Sequence, residues 1–371
     1  MKETSKRTPL YAQVRDYVID HIRSGKWRAG RKLPSETQLS KQFDVSRITI
    51  RSAMAKLVEE GIVYRVQGRG SYVGQYAGEK EPIRYAKPDL DKDGLHLVAL
   101  ILPKMRGNLM TRLTSGVEAG LDGSRYRILL MTTDYSQAKE EEKLREAVQA
   151  GAQGIIIYPS DGQTYNEGML RLSLDRYPIV VLDRYLRGVE TNCVCSDHYT
   201  GAYEATEQLL RQGHRRIAFV SPACAGTTSL EERLEGYRQA LNDYGVIFDK
   251  SRVLERGEQE EIEAFLKDKT DLTALFGANE EIGLNAIRAA EKIGKAVPER
   301  MSVIFFDDYD HSGDARIPPT CITQQGERIG REAANRVLSL IEDPHQSRVM
   351  IRVPTRLIVR GSTAPVSEGI D

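Results

Sequence analysis

In the first 75 residues, apolar positions recur at steps of three and four, which is the spacing of one buried helix face. The pattern first predicts a helix over about residues 10–22. Ser35, with Gln38 three residues later, is typical of a capping box that opens a second helix. Ser46 precedes a third helical pattern that continues to about Glu60, and its hydroxyl suits the N-cap position. Three helices are therefore expected before any strand.

A hairpin is predicted directly after the third helix. Residues 62–66 and 71–73 are short apolar segments of the kind that form strands. Between them lie Gln67, Gly68, Arg69 and Gly70. The glycines permit a tight turn, and an arginine at its tip suits a phosphate or the minor groove of DNA. Three helices followed by a glycine-tipped hairpin have the order of a winged helix-turn-helix.

The third helix carries Arg47, Thr49 and Arg51 at its predicted exposed start. The two arginines are one turn apart and share a face. A recognition helix enters the major groove by its N-terminus, where arginine forks suit guanine edges. The alternative is a solvated basic helix followed by an ordinary hairpin. Two capped helices at turn spacing, with the hairpin directly after, favour DNA binding over that alternative.

The pattern changes after a linker. Residues 76–94 contain two prolines and many charges but no hydrophobic periodicity, which predicts an exposed tether. Beyond it, fully apolar runs alternate with helical patterns, as in parallel sheets covered on both faces. The fold class is therefore α/β for a domain over residues 95–371. Its predicted strands are 96–102, 127–131, 154–158, 179–182, 216–220, 273–276 and 302–306, and its predicted helices are 108–121, 138–150, 165–176, 199–212, 230–244 and 280–293.

Polar residues follow three of these predicted strands. They are Asp183-Arg184, Asn279 and Asp307-Asp308. Ligands of such sheets lie beyond the carboxyl ends of the strands. Each residue alone is explained as a helix cap or a turn former. Three such ends together favour a shared polar ligand, and carboxylate, amide and guanidinium groups suit a neutral polyhydroxylated molecule.

Charge and cysteine usage refine this division. The chain has 53 basic and 53 acidic side chains, but residues 1–75 hold 15 of the former against 7 of the latter. A basic first domain on an acidic remainder indicates that only the first domain binds a polyanion. Four cysteines suit a reducing compartment, and Cys193-Val-Cys195 lacks the further ligands of a metal site. The polar N-terminus and the absence of a long apolar run predict a cytoplasmic protein without a membrane span.

The segment LPSETQLSKQFDVSRITIRSAMAKLVEEGIVYRVQGRGSYV (33–73) closely resembles the winged-helix domain of GntR transcription factors. The resemblance implies a DNA-binding domain over residues 1–75. Many members have arginine where this chain has Thr37, which puts a DNA contact from that position in doubt. The predicted DNA-binding residues are Ser35, Thr37, Ser46, Arg47, Thr49, Arg51, Gln67, Gly68, Arg69 and Gly70.

Residues 96–360 resemble the effector-binding domain of LacI/GalR repressors, most clearly in SDHYTGAYEATEQLLRQGHRRIAFVS (196–221), ERLEGYRQAL (232–241) and the stretch from PERMSVIFFDD to IPPTCITQQ (298–325). The resemblance implies a type I periplasmic-binding-protein fold with an effector between two subdomains. Their expected bounds are about 95–195 with 322–343, and about 196–320 with 347–361. The predicted effector-binding residues are Leu109, Met110, Asp183, Arg184, Arg233, Asn279, Asp307 and Gln325.

This pairing of head and body implies a homodimeric repressor of carbohydrate-utilisation genes that leaves a palindromic operator when a sugar binds. L-arabinose is the first expectation, with no cofactor. Departures such as Glu231, where the family usually has arginine, leave another sugar or a nucleoside open, and an activator or co-repressor mode stays open as well. An enzyme acting on a sugar through Asp183, Glu231 and Asp307 is a remote alternative, because no nucleophile or metal set accompanies these acids. A transport binding protein is opposed by the polar N-terminus.

Overall fold

The computed structural model describes residues 10–366 except 25, 29, 44, 60–61, 67–69, 75–93, 161–165, 186–189 and 309–315. The linker predicted over residues 76–94 lies almost wholly outside the described residues. Within these bounds the chain forms a small N-terminal domain and a larger α/β domain. No helix in the described ranges has both the length and the apolar character that a bilayer crossing requires.

The N-terminal domain has three helices and a hairpin, as predicted. Its elements are α1 (Leu10–Arg23), α2 (Glu36–Phe43), α3 (Arg47–Glu59), β1 (Val63–Val66) and β2 (Gly70–Val73). The strands pair antiparallel, from Val63 opposite Val73 to Val66 opposite Gly70. Residues 30–33 run along the other edge of β2, where Leu33 N donates to Ser71 O at 2.8 Å. The pairing of this segment with β2 was not predicted from the sequence.

Both predicted helix caps of this domain are present. The amide of Ser35 donates to Gln38 Oε1 at 2.8 Å, and Gln38 N donates back to Ser35 Oγ at 3.2 Å. Thr49 N donates to Ser46 Oγ at 3.2 Å. Such caps satisfy amides that the first turn of a helix leaves without partners. The local sequence therefore fixes where α2 and α3 begin.

The α/β domain alternates strands and helices. In chain order it contains β3 (His96–Leu102), α4 (Asn108–Leu121), β4 (Tyr126–Thr132), α5 (Gln137–Gln149), β5 (Ala152–Ile157), α6 (Glu167–Leu174), β6 (Ile179–Leu182), β7 (Asn192–Ser196), α7 (His198–Arg211), β8 (Ile217–Val220), α8 (Thr228–Asp243), β9 (Val253–Leu254), α9 (Gln259–Asp268), β10 (Ala274–Gly277), α10 (Glu280–Lys292), β11 (Ser302–Phe306), β12 (Thr320–Thr323), α11 (Gly326–Glu342), β13 (Met350–Val353) and β14 (Arg356–Ile358).

Two six-stranded sheets divide this domain into two lobes. The first lobe has the strand order β13-β7-β6-β5-β3-β4, and every pair in it is parallel. The second lobe has the order β14-β12-β11-β10-β8-β9, parallel except where β14 meets β12. Helices cover both faces of each sheet, since buried side chains of β3 alternate between a core with α4 and α11 and a core with α5 and α6. The predicted α/β architecture is confirmed.

The chain crosses between the lobes three times, at residues 197, 324–325 and 354–355. The expected subdomain bounds were wrong at the second and third crossings. Residues 322–323 belong to β12 and therefore to the second lobe, because β12 pairs with β11. Residues 350–353 form β13 and belong to the first lobe, because β13 pairs with β7. The error at the third crossing involves a short strand, β13, whose neighbour β7 lies far away in the sequence.

Candidate functional site

Two aspartates stand at the carboxyl ends of strands in opposite lobes. Asp183 follows β6 with φ 64°, and Asp307 follows β11 with φ 74°. Non-glycine residues rarely adopt this left-handed conformation, although aspartate tolerates it better than most. Such backbone strain at two strand ends is typical of functional sites. The strand-end rule used on the sequence therefore identified both positions.

Asp183 is almost fully buried and surrounded by donors. Tyr158 donates its hydroxyl hydrogen to Asp183 Oδ2 at 2.7 Å. Nε of Arg184 lies 3.6 Å from the same oxygen, and Nε2 of His198 lies 3.1 Å from Oδ1. Burial by itself would raise the pKa of Asp183, but His198, Arg184 and Arg233 outweigh it and hold that pKa well below its usual range. The carboxyl group is therefore ionised at neutral pH.

Arg233, on the second turn of α8, is 5% exposed. Its guanidinium lies 3.8 Å from the centre of the Phe306 ring. One terminal nitrogen donates to the carbonyl oxygen of Ala278, and the other lies 3.2 Å from Nδ1 of His198. Its Nε is buried and has no hydrogen-bond partner among the described residues. A buried donor left without a partner costs free energy, so an acceptor placed at this nitrogen would stabilise the arrangement.

Asp307 is joined to Gln324 at the second crossing. Gln324 donates its amide hydrogen to Asp307 Oδ1, and its own oxygen accepts from Ser196 Oγ at 2.6 Å. Removal from water raises the pKa of the Asp307 carboxyl, and Arg233 and Gln324 offset only part of that effect. We refer to Tyr158, Asp183, Arg184, His198, Arg233, Asp307 and Gln324 as the polar cluster.

Other predicted effector-binding residues lie beside this cluster or away from it. Asn279 follows Ala278, and its Oδ1 caps α10 by accepting from Ile282 N at 2.9 Å. Gln325 donates to the carbonyl oxygen of Pro354 at 2.6 Å, whereas its neighbour Gln324 belongs to the polar cluster. Met110 is 8% exposed in the first-lobe core, and Leu109 packs against that core. An effector contact from these four residues, as from Asp183, Arg184, Arg233 and Asp307, remains a prediction.

Sequence reasoning missed Tyr158, His198 and Gln324. His198 follows β7, a strand that was not predicted because its sequence, Asn-Cys-Val-Cys-Ser, is polar at both ends. Tyr158 directly follows β5, so the strand-end rule could have identified it. Asp308 was noted beside Asp307, but its carboxylate pairs with Arg360 at 2.7 Å. Within the described ranges, no group of three or more His, Cys, Asp or Glu side chains is suited to a metal ion.

A second set of contacts joins the lobes next to the polar cluster. Glu232 on α8 accepts from both terminal nitrogens of Arg352 on β13, at 2.9 and 2.7 Å. Tyr185, two residues after Asp183, donates its hydroxyl hydrogen to the same carboxylate at 3.0 Å. Its backbone nitrogen donates to the hydroxyl of Thr228 at 3.2 Å. We refer to Tyr185, Thr228, Glu232 and Arg352 as the interlobe clasp.

The predicted DNA-binding residues of the N-terminal domain are partly described. Arg47 and Arg51 are exposed at the start of α3, as predicted. Arg51 Nε lies 3.8 Å from Glu36, which also pairs with Arg65 of β1 at 2.7 Å. Glu36 thereby connects the start of α2 with both the recognition helix and the hairpin. DNA contacts from all ten predicted residues remain a prediction.

The other predicted DNA-binding residues differ in what the structure describes. Ser35 and Ser46 serve as caps, Thr49 Oγ1 lies 2.9 Å from Ser46 Oγ, and Thr37 is exposed. Gly70 is exposed at φ 112°, beside the side chain of Lys32, a cation that sequence reasoning missed. Gln67, Gly68 and Arg69 lie outside the described residues.

Known protein families match the N-terminal domain and the α/β domain separately. Residues 10–73 match the gntR family of bacterial regulatory proteins, and residues 206–363 match the periplasmic binding protein-like domain. Over 99% of its length the chain is 28% identical to the arabinose metabolism transcriptional repressor of Geobacillus stearothermophilus, of which it covers 100%. It is 27% identical to the protein of the same name from Halalkalibacterium halodurans, over 95% of this chain and 96% of that protein.

Solved structures show the same relationship for the α/β domain. A LacI family transcriptional regulator from Enterococcus faecium, with bound ribose, is similar with a TM-score of 0.63 and 25% identity. The match covers 73% of this chain and 100% of that one. Residues 10–73 are therefore a helix-turn-helix domain of the gntR family of bacterial regulatory proteins, joined to a periplasmic-binding-protein-like domain of the kind that LacI-family regulators carry.

Proposed function

We propose that this chain is a transcriptional repressor that binds operator DNA through residues 10–73 and releases it when L-arabinose binds between the lobes. The observation that carries the proposal is the polar cluster, in which Asp183 of the first lobe meets His198 and Arg233 of the second, and the buried Nε of Arg233 has no hydrogen-bond partner among the described residues. A ligand that completes this cluster contacts both lobes at once. It can therefore favour one arrangement of the lobes over another.

The chemistry of the cluster suits a sugar. A hydroxyl group donates and accepts at the same time, which matches an arginine N–H and a carboxylate side by side. The ionised Asp183 and the guanidinium of Arg233 balance each other in charge, so a neutral molecule adds no uncompensated buried charge. The two relatives of full length are named for arabinose metabolism, and the similar structure from Enterococcus faecium holds ribose. L-arabinose is our first choice, ahead of other pentoses.

The DNA end of the proposal follows from the winged helix-turn-helix. Arg47 and Arg51 project from the start of α3 without being buried, so they are available to base edges and phosphates. A single recognition helix reads one half-site, so we propose a homodimer on a palindromic operator. Each arginine that reads a base is expected to contribute about 1–3 kcal/mol to operator binding.

The test is a pair of titrations on the full chain. Calorimetry with L-arabinose, D-xylose, D-galactose and D-ribose measures sugar affinity, and an operator-binding assay at fixed salt is repeated with saturating sugar. We expect arabinose to bind and to weaken operator binding by about 5–150-fold, the range of a typical coupling of about 1–3 kcal/mol. If another sugar binds and weakens operator binding in the same way, only the identity of the effector is wrong and the repressor mechanism stands. Unchanged operator affinity at saturating sugar would refute the repressor mechanism.

A second arm separates the two domains. Arg47→Ala and Arg51→Ala are expected to weaken operator binding and to leave sugar affinity unchanged, because these residues belong to the N-terminal domain. Asp307→Asn is expected to weaken sugar binding and to leave operator affinity unchanged. Loss of sugar binding in the arginine variants would contradict the assignment of separate tasks to the two domains.

A further inference from the structure

We propose that His198 is a positioning residue of the effector site. Its imidazole contacts Arg233 on one side and Asp183 on the other, and the arrangement leaves one donor and one acceptor for a hydroxyl of an uncharged ligand. The inference rests on the proposed function, since it specifies how the polar cluster takes a sugar. It adds a residue to the site and excludes anionic ligands from it.

The ring of His198 is fixed from several directions. It is 1% exposed at the start of α7, where Asp197 caps the helix by accepting from Thr200 N at 3.1 Å. The ring centre lies 5.7 Å from that of Phe306, the same ring on which the guanidinium of Arg233 rests. The imidazole therefore has no freedom to swing into solvent.

The hydrogen bonds of His198 determine where its proton lies. The guanidinium of Arg233 can only donate, so Nδ1, at 3.2 Å from it, must accept. The ring N–H that this hydrogen bond leaves is on Nε2, which faces Asp183. Nε2 donates to the backbone oxygen of Asp183 at 3.2 Å, and the carboxylate oxygen Oδ1 lies 3.1 Å away. The charged groups around the ring are Asp183, Arg233 and Asp307, from three different elements.

Two buried polar atoms remain for a ligand in this arrangement. Asp183 Oδ1 and Arg233 Nε each lack a hydrogen bond of good geometry to any described residue. One is an acceptor and the other a donor, and both side chains contact the same imidazole. A hydroxyl group can accept from the guanidinium and donate to the carboxylate, whereas a phosphate or carboxylate ligand would place a second anion against Asp183. The expected ligand class is a neutral polyol, and sugar phosphates and uronic acids are excluded.

The experiment measures sugar affinity of the full chain by calorimetry, using whichever sugar of the four-sugar panel binds the unaltered protein. His198→Phe keeps a planar ring but neither hydrogen bond, and we expect affinity to fall by about tenfold or more, the effect of a typical lost buried hydrogen bond. His198→Gln offers a donor and an acceptor in one side chain, so we expect it to recover a measurable part of that loss. His345→Phe, at an exposed histidine after α11, is the control and should bind as the unaltered protein does.

Folding and ligand charge are tested in the same series. Thermal unfolding and operator binding without sugar should be the same in His198→Phe and His198→Gln, so that a difference in sugar affinity between them reflects hydrogen bonding. The 1-phosphate of the bound sugar, which keeps the same ring form, should bind at least tenfold more weakly than the sugar itself. Unchanged affinity in His198→Phe, no recovery in a folded His198→Gln, or preference for the phosphate would each overturn the inference. Absence of binding by all four sugars to the unaltered protein would instead refute the proposed function.

Discussion

Replacing Gly330 with alanine tests how the first lobe is held together. Helices α4 and α11 cross at Gly116 and Gly330, with their backbones in direct contact. A Cβ on Gly330 would lie 2.2 Å from Leu113 O and 2.7 Å from Val117 N. On the facing helix, a Cβ on Gly116 would lie 2.2 Å from Glu327 O. Because both obstacles are backbone atoms, no side-chain rotation can relieve the clash.

The magnitude follows from two opposing effects. Alanine is favoured over glycine inside a helix by about 1 kcal/mol. Relieving a 2.2 Å contact requires the helices to separate by about 1 Å, which loosens the packing around α11 and costs about 1–3 kcal/mol or more, as overpacking does. We expect the second effect to exceed the first because Ile329, Ala333 and Val337 of α11 are buried in the same core. The net loss should be about 1–2 kcal/mol, or about 2–8 °C in the melting temperature.

The assay is thermal unfolding of the full chain, with Gly168→Ala in α6 as the matched control. A Cβ on Gly168 would meet only side-chain atoms, at 3.2 Å from Asn166 Oδ1 and 3.5 Å from Leu144 Cδ1, so the contact is tight by only a few tenths of an ångström. That control is expected to change stability by less than about 1 kcal/mol. A Gly330→Ala protein as stable as the unaltered chain would refute the close-packing argument. Gly330→Ala should also weaken sugar binding, since α11 begins directly after Gln324 and Gln325.

Two further predictions concern stability and its dependence on pH and salt. Glu232→Gln removes the charge that Arg352 binds. Because the Arg352 side chain is 37% exposed, we expect the free energy of unfolding to fall by only about 1 kcal/mol, and by less at high salt. If the same loss is measured in 1 M salt, the loss does not arise from the ion pair. Burial lowers the pKa of His214, whose ring bonds to Thr273, Ser302 and the carbonyl oxygen of Ala364. As the pH falls, the His214 imidazole is therefore protonated in the unfolded chain before it is protonated in the folded chain. The contribution of the neutral His214 to the free energy of unfolding is fully present above about pH 6.5 and is lost below it. Urea unfolding at pH 7.5 and 5.5 should show a smaller pH dependence in His214→Gln, and an equal dependence in both proteins would contradict the assignment.

The lobes were predictable to the extent that their strands are apolar throughout. Runs such as 96–102 and 302–306 are buried on both faces of a sheet, so they leave an unbroken hydrophobic signal. The strand β7 carries polar residues at its ends, and β13 is mostly exposed on one side, so neither leaves such a signal. Their places are determined by pairing with each other across more than a hundred residues. The misplaced third crossing is a direct consequence, because its position depends on which sheet β13 joins.

The candidate site shows the same contrast at single residues. Asp183 and Asp307 follow regular strands, so chain position alone identified them. Gln324 lies in a crossing, where the direction of a side chain depends on local backbone geometry, so its contact with Asp307 was not predicted, and the effector contact of Gln325 stays a prediction. For Met110 the spacing with Leu113, Val117 and Leu121 already indicates a buried helix face, and the structure agrees with that spacing.

The polar cluster and the interlobe clasp are built on the same two segments of chain. Glu232 and Arg233 are consecutive on α8, and Tyr185 follows Asp183 by two residues. A ligand that draws Asp183 and Arg233 together therefore acts on the backbone segments that carry Tyr185 and Glu232. Since coupling between two sites requires an element whose arrangement both of them bias, we propose these segments as the connection between the proposed sugar binding and the lobe arrangement. Glu232→Gln distinguishes this connection from a passive clasp, because only a connected clasp changes sugar affinity as well as stability.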